Sequence, residues 1–149
     1  MRYYSYDEFR VDVNKLAKEL KEYQPDVVLA VARGGMTLGH FLAEALEMRD
    51  LYAINSIHYE ETRKLDTINI FNIPDLSKAK KVVIVDDIID SGETMIEIKK
   101  ILQKKYPDLD LKVASIYFKE KALLRPDYAI REATEWIEFF WDFEIDNLK

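Results

Sequence analysis

Two runs of consecutive apolar residues, Val27–Ala32 (VVLAVA) and Val82–Val85 (VVIV), stand out from the hydrophobic pattern of the chain. Unbroken runs of this kind, rich in β-branched residues, fit strands covered on both faces. Around them the spacing becomes helical. Ser5-Tyr6-Asp7-Glu8 has the form of a capping box, and Phe9, Val13, Leu16, Ala17 and Leu20 follow at helical intervals up to Gln24-Pro25. Leu38, Phe41, Leu42, Ala45 and Leu46 mark a second helix after Gly34-Gly35. Met95, Ile98, Ile101 and Leu102 mark a third, ending near Tyr106-Pro107. Leu51–Ile57 alternates as a strand does, Thr67–Phe71 allows a short one, Leu111–Phe118 forms another, and Pro126–Ile130 reads as a short edge strand. Strands alternating with helices predict an α/β fold of about five strands, mostly parallel, with helices on both faces of the sheet.

Length and composition narrow this picture. A chain of 149 residues with no repeat, linker or low-complexity run is expected to form a single domain. Its 48% hydrophobic and 34% charged residues describe an ordered soluble globule. The absence of cysteine excludes a disulfide framework, a thiolate metal site and a cysteine nucleophile. The opening MRYYSYDEF has no apolar signal core, and no apolar run approaches a membrane span, so the cytoplasm is the expected location. A net charge of −6 argues against a nucleic-acid-binding face. An anionic substrate must then be met by local positive groups.

The residues suited to bind a ligand cluster at strand ends. Asp86 and Asp87 follow the Val82–Val85 run at once; Ile88, Ile89 and a third acid, Asp90, come next, then Ser91, Gly92, Glu93 and Thr94 at a helix start. Open α/β sheets bind ligands at such places. A helix N-terminus after a small-residue turn presents free N–H groups to a phosphate, and the Ser91 and Thr94 hydroxyls add donors. Three carboxylates would repel a bare phosphate. They suit a larger ligand whose other end carries hydroxyls and a divalent cation, since carboxylates accept from sugar hydroxyls and hold Mg2+ through oxygen. A phosphorylated sugar with metal fits; a solvated acidic turn is the competing reading.

Arg33-Gly34-Gly35 repeats the strand, glycine turn, helix plan at the end of Val27–Ala32 and supplies a cation. Gly34 to Gly39 imitates part of a Walker A loop, but His40 and Phe41 stand where that loop needs Lys and Ser or Thr. His58 to Asp66 is polar and aperiodic, as functional loops often are, and His58 is left without a role. Lys119 closes the Leu111–Phe118 strand, and Glu135 to Phe143 holds both tryptophans, Trp136 and Trp141. A tryptophan face suits a flat aromatic ligand, although aromatic stripes are more often core or interface.

VVIVDDIIDSGET resembles the phosphoribosyl-pyrophosphate (PRPP) motif of the type I phosphoribosyltransferases, with Glu93 as a departure that puts an acid beside the phosphate. The Arg33-Gly34-Gly35 turn resembles the pyrophosphate loop of the same family. Trp136-Ile137-Glu138 and Trp141-Asp142 resemble the WIE and WD segments of the bacterial xanthine-guanine phosphoribosyltransferases. The resemblance implies that fold, with a small C-terminal hood contributed mainly by about 127–149. It implies transfer of a 5-phosphoribosyl group from PRPP to guanine, xanthine or hypoxanthine. Arg33, Gly34 and the stretch Asp86, Asp87, Ile88, Ile89, Asp90, Ser91, Gly92, Glu93 and Thr94 would then bind PRPP, with Mg2+ on the side of Asp87. Asp90 would be the general base, Lys119 would read the 6-oxo group, and Trp136 with Ile137 would clamp the purine. Preference among the bases would turn on backbone carbonyls and on Glu138 or Asp142. His58 to Asp66 would be the loop that closes over the sugar, where Arg63 or Lys64 could meet phosphate oxygens. A homodimer or homotetramer is expected from the small size and the aromatic tail. The competing class is a PRPP-sensing, RNA-binding regulator, disfavoured by the negative charge and the complete base site. A phosphorylation-switch receiver would need its acid pair near the N-terminus. Adenine and pyrimidine transferases give no reason for Lys119.

Overall fold

The capping box at Ser5 forms as its spacing predicts. The Glu8 N–H donates to the Ser5 hydroxyl at 3.2 Å, and the Ser5 N–H donates to the Glu8 carboxylate at 2.9 Å. These bonds open helix α1, Tyr6–Tyr23, and its apolar stripe of Phe9, Val13, Leu16, Ala17 and Leu20 is buried. The computed structural model describes residues 1–58 and 68–146. The remaining elements are β1 (Arg2–Tyr4), β2 (Val27–Ala32), α2 (Met36–Ala45), β3 (Leu51–His58), β4 (Ile68–Phe71), β5 (Lys81–Ile89), α3 (Glu93–Lys105), β6 (Asp110–Phe118), β7 (Tyr128–Glu132) and β8 (Ile137–Phe139). A 3-10 turn over Phe140–Asp142 follows β8.

Six strands form the main sheet in the order β4-β3-β2-β5-β6-β7. All neighbours are parallel except β3 and β4. Side-chain alternation divides the core between the two faces. Val28, Ala30, Val83, Val85, Ala114 and Ile116 pack with α1 and α2. Leu29, Val31, Val82, Ile84 and Val113 pack with α3. Both central strands are thus covered twice, which is why their sequences are apolar without alternation. Among the described residues no helix is long and apolar enough to cross a membrane.

Two features depart from the sequence-based expectation, although the main sheet, with six strands, agrees with the expected five or so. Its central strand β5 runs on through Asp86 and Asp87 to Ile89, because β6 continues to pair with it as far as Ile89↔Phe118. Of the segment expected to form the hood, Tyr128–Glu132 joins the main sheet as its edge. The separate layer is a two-stranded sheet in which β8 pairs in parallel with β1 from the other end of the chain. Three-residue strands are too short to carry a readable period, so β1 leaves no trace in the pattern.

The strand order reverses between β2 and β5. β2 leads to β3 on one side and β5 to β6 on the other, which makes the gap between their carboxyl ends a topological switch point. Pairing of β2 with β5 stops at Ala30↔Val85, just before the acids.

Candidate active site

Two loops meet at this gap, and close packing locks them together. The Arg33-Gly34-Gly35 turn follows β2 after a cis Ala32–Arg33 peptide. A Cβ added at Gly35 would lie 2.4 Å from the Val85 carbonyl oxygen, and one at Gly34 would lie 2.7 Å from a carboxylate oxygen of Asp87. Only glycine lets the backbone of the first loop lie against the acids of the second. Arg33 is exposed, and among the described residues it forms no ion pair.

Asp86 and Asp87 are half-buried at the end of β5. The Asp87 N–H donates to Asp86 Oδ1 at 2.9 Å, and the Ile88 N–H donates to Asp87 Oδ1 at 2.7 Å. Burial, reinforced by the neighbouring Asp87 charge, pushes the Asp86 carboxyl well above the ordinary carboxylate range. Burial also raises Asp87. Two acids held this way gain from a cation or from hydroxyl donors.

At the start of α3, Gly92 has φ of +87°, and a Cβ there would meet the Leu124 nitrogen at 2.8 Å. The Leu123 N–H donates to the Ser91 carbonyl at 2.8 Å, so the segment after β6 braces this turn. The Ser91 hydroxyl accepts from the Glu93 N–H at 3.2 Å and donates to the Glu93 carboxylate at 3.3 Å. Glu93 is thereby turned onto Ser91, outside the cleft that its neighbours line.

Asp90 and Lys119 come together although 29 positions separate them in the chain. The Lys119 N–H donates to the Ile89 carbonyl at 2.9 Å, joining the ends of β5 and β6. The Lys119 Nζ then pairs with Asp90 Oδ1 at 2.7 Å.

These residues wall two adjoining clefts. The first, about 280 Å³, is lined by His58, the run Asp86 to Gly92, Thr94 and Met95. The second, about 180 Å³, is lined by Asp87, Ile88, Asp90, Lys119, Glu135, Trp136, Ile137, Phe139 and Asp142. Asp87, Ile88 and Asp90 belong to both. Arg33 and Gly34 line neither cleft; Gly34 lies against the Asp87 carboxylate. Trp136 is 76% exposed, whereas Ile137 is buried. Trp141 does not face the second cleft; it stacks on Phe139 at 4.7 Å in the aromatic cluster beneath.

Sequence reasoning left His58 unassigned and missed Glu135 and Phe139. His58 ends β3, a strand that neighbours β2, and this adjacency is invisible in the sequence. Of the two acids weighed for specificity, Asp142 lines the cleft, while Glu138 lies between Ile137 and Phe139 on β8 and does not. Arg63 and Lys64 lie outside the described residues.

The architecture is a mostly parallel sheet with one cleft at the end of its central strand and a second beside it. Residues 2–147 match the phosphoribosyl transferase domain, and the chain belongs to that family: it is a phosphoribosyltransferase. The chain is similar to the xanthine-guanine-hypoxanthine phosphoribosyltransferase of Helicobacter pylori, with 38% identity and a TM-score of 0.88 over 95% of this chain and 93% of that one. It is similar to a purine phosphoribosyltransferase from Pyrococcus horikoshii, with 30% identity and a TM-score of 0.80 over 99% and 97% of the two chains. The xanthine-guanine phosphoribosyltransferase of Idiomarina loihiensis is 24% identical over 97% of this chain and 89% of its own length.

Proposed function

We propose that the protein transfers the 5-phosphoribosyl group of PRPP to N9 of a 6-oxopurine, xanthine, guanine or hypoxanthine, and releases pyrophosphate. The observation that carries this reading is the junction of the two clefts. Asp87, Ile88 and Asp90 line both, so a sugar in the first and a planar base in the second would meet at the sugar's anomeric carbon. The names borne by the similar proteins point to the same substrates.

The residues divide the work. Ser91, Gly92 and Thr94 receive the 5′-phosphate at the start of α3. Asp86 and Asp87 accept the ribose hydroxyls. Arg33 and the Gly34 backbone meet the pyrophosphate, whose charge grows as its bond to C1′ breaks. The N9–C1′ bond forms as that bond breaks, and Asp90 takes the proton from N7. Lys119 donates to the 6-oxo group, and Trp136 and Ile137 hold the ring. Because Lys119 bonds Asp90 in the free protein, the arriving purine must draw the lysine onto its own oxygen.

Mg2+ fits the donor set. Among the described residues no group of three or more acids or imidazoles could cage an ion, but a pair of half-buried carboxylates suits Mg2+ that takes its other ligands from substrate and water. When bound, the ion would neutralise the diphosphate and complete the hold on the ribose hydroxyls, with Asp87 on its side of the site.

Nucleotide formation with PRPP, Mg2+ and each of guanine, xanthine, hypoxanthine and adenine tests the proposal. The three 6-oxopurines should yield nucleotide and adenine should not, because its amino group would leave Lys119 unpaired. No product from any base, with PRPP still bound, would instead fit a regulatory role. The exposed Met36, Phe41, Tyr52, Ile57 and Phe71 support the homodimer or homotetramer reading, which sedimentation would check.

A further inference from the structure

β8 supplies Ile137 and Phe139 to the base cleft, yet it does not belong to the main sheet. Its strand partner is β1, through Arg2↔Ile137, Tyr3↔Glu138 and Tyr4↔Phe139, and the Arg2 N–H donates to the Trp136 carbonyl at 2.9 Å. A pair of three-residue strands has no stability of its own. Something must hold β1 in place.

Polar side chains do so. Asp12 on α1 is only 3% exposed, a rare burial for a carboxylate. Its Oδ2 accepts from the hydroxyl of buried Tyr4 at 2.5 Å and from Arg131 Nε at 2.7 Å. Arg131 lies on β7 in register with Tyr117 of β6, and its guanidinium sits 5.6 Å from the centre of the Tyr4 ring. From the other end of β1, Arg2 Nε donates to the Tyr117 hydroxyl at 2.9 Å, and Arg2 also pairs with Glu8. The Tyr4 ring meets Phe139 edge-on at 5.7 Å. Buried charge pairs are poor contributors to net stability, and where they persist they often select one arrangement over others.

We propose that the bonds joining Tyr4, Asp12 and Arg131, and those joining Arg2, Glu8 and Tyr117, form a positioning network that places β8 and so sets the affinity of the cleft for its base. None of these residues lines either cleft. They are positioning residues, acting through β1 on Trp136, Ile137 and Phe139. The inference rests on the purine reading given above.

Asp12→Asn, Tyr4→Phe and Tyr117→Phe test it; the last two remove single hydroxyl groups and keep the rings. Each should raise KM for the purine by roughly 10-fold, because small displacements remote from the chemistry are costly, and leave KM for PRPP within about twofold. In the ligand-free protein, hydrogen exchange at the amides of 137–139 should quicken while β5 keeps its protection. Should Asp12→Asn fail to fold, the two phenylalanine variants decide. Parallel changes in both KM values, or an unchanged purine KM, would overturn the proposal, as would unchanged exchange at 137–139. A wild-type protein that uses no purine would defeat the functional reading alone, because the exchange measurement needs no substrate.

Discussion

Asp86 and Asp90 belong to one short stretch yet lie in different environments, the first half-buried and the second exposed. Asp90 is exposed and paired with Lys119, as the proposed general base would need to be. Asp90→Asn should lower turnover by roughly 10²-fold, the usual scale for a general base, while PRPP binding persists; near-normal turnover in steady-state kinetics would remove it from that role. Lys119→Ala should weaken use of 6-oxopurines far more than binding of PRPP, and equal losses for both would make the lysine structural. Asp86 behaves differently. Its carboxyl is raised above the unfolded value of about 3.9, so the folded state keeps a proton that the unfolded state has released. The stability this confers is complete below the unfolded pKa and is lost as pH rises through the folded one. In metal-free buffer Asp86→Asn should therefore melt above the wild type at pH 7, and the difference should vanish towards pH 4. A difference independent of pH in thermal melts would contradict this.

At the scale of elements, both loops of the site are held by backbone contact. Gly35 is the tightest point, since a Cβ there would meet the Val85 and Val31 carbonyl oxygens at 2.4 and 2.9 Å. Neither is a flexible side-chain end, so the loop itself must shift. Gly35→Ala should cost ~1–3 kcal/mol in stability, the range for overpacking. It should also weaken pyrophosphate binding by about 10-fold or more through the displaced Arg33, on the same scale of sensitivity to position. Calorimetric titration with pyrophosphate would check the second effect. Glu93, the residue at odds with a phosphate cup, loses its awkwardness here: its bonds to Ser91 hold the carboxylate outside the cleft. Sequence placed an acid in this turn, and only the turn geometry shows where its side chain goes.

In the molecule as a whole, two adjoining clefts share the end of β5, beside the point where the sheet divides. PRPP would span the ends of β2 and β5, joining two halves that stop pairing at Val85. Bound at ~100 times its Kd with Mg2+, it should add about 2.7 kcal/mol of stability, read as a rise in Tm of roughly 5–10 °C. An unmoved Tm would contradict that binding. Much of this architecture was legible beforehand. VVLAVA and VVIV betray strands buried on both faces, because apolar runs without alternation are stable only when helices cover them twice. Capping residues mark helix starts, and glycine and acids mark the loops that follow the strands. What the sequence by itself determined was therefore local: which segments are strands and helices, and which of them end in glycine, acid and hydroxyl groups. The tertiary structure decided the long-range pairings. It set β1 beside β8, His58 beside the acids, Lys119 on Asp90, and Asp12 between Tyr4 and Arg131. Such contacts join residues that no period along the chain relates, and they arise only when the packed core brings distant segments within bonding distance.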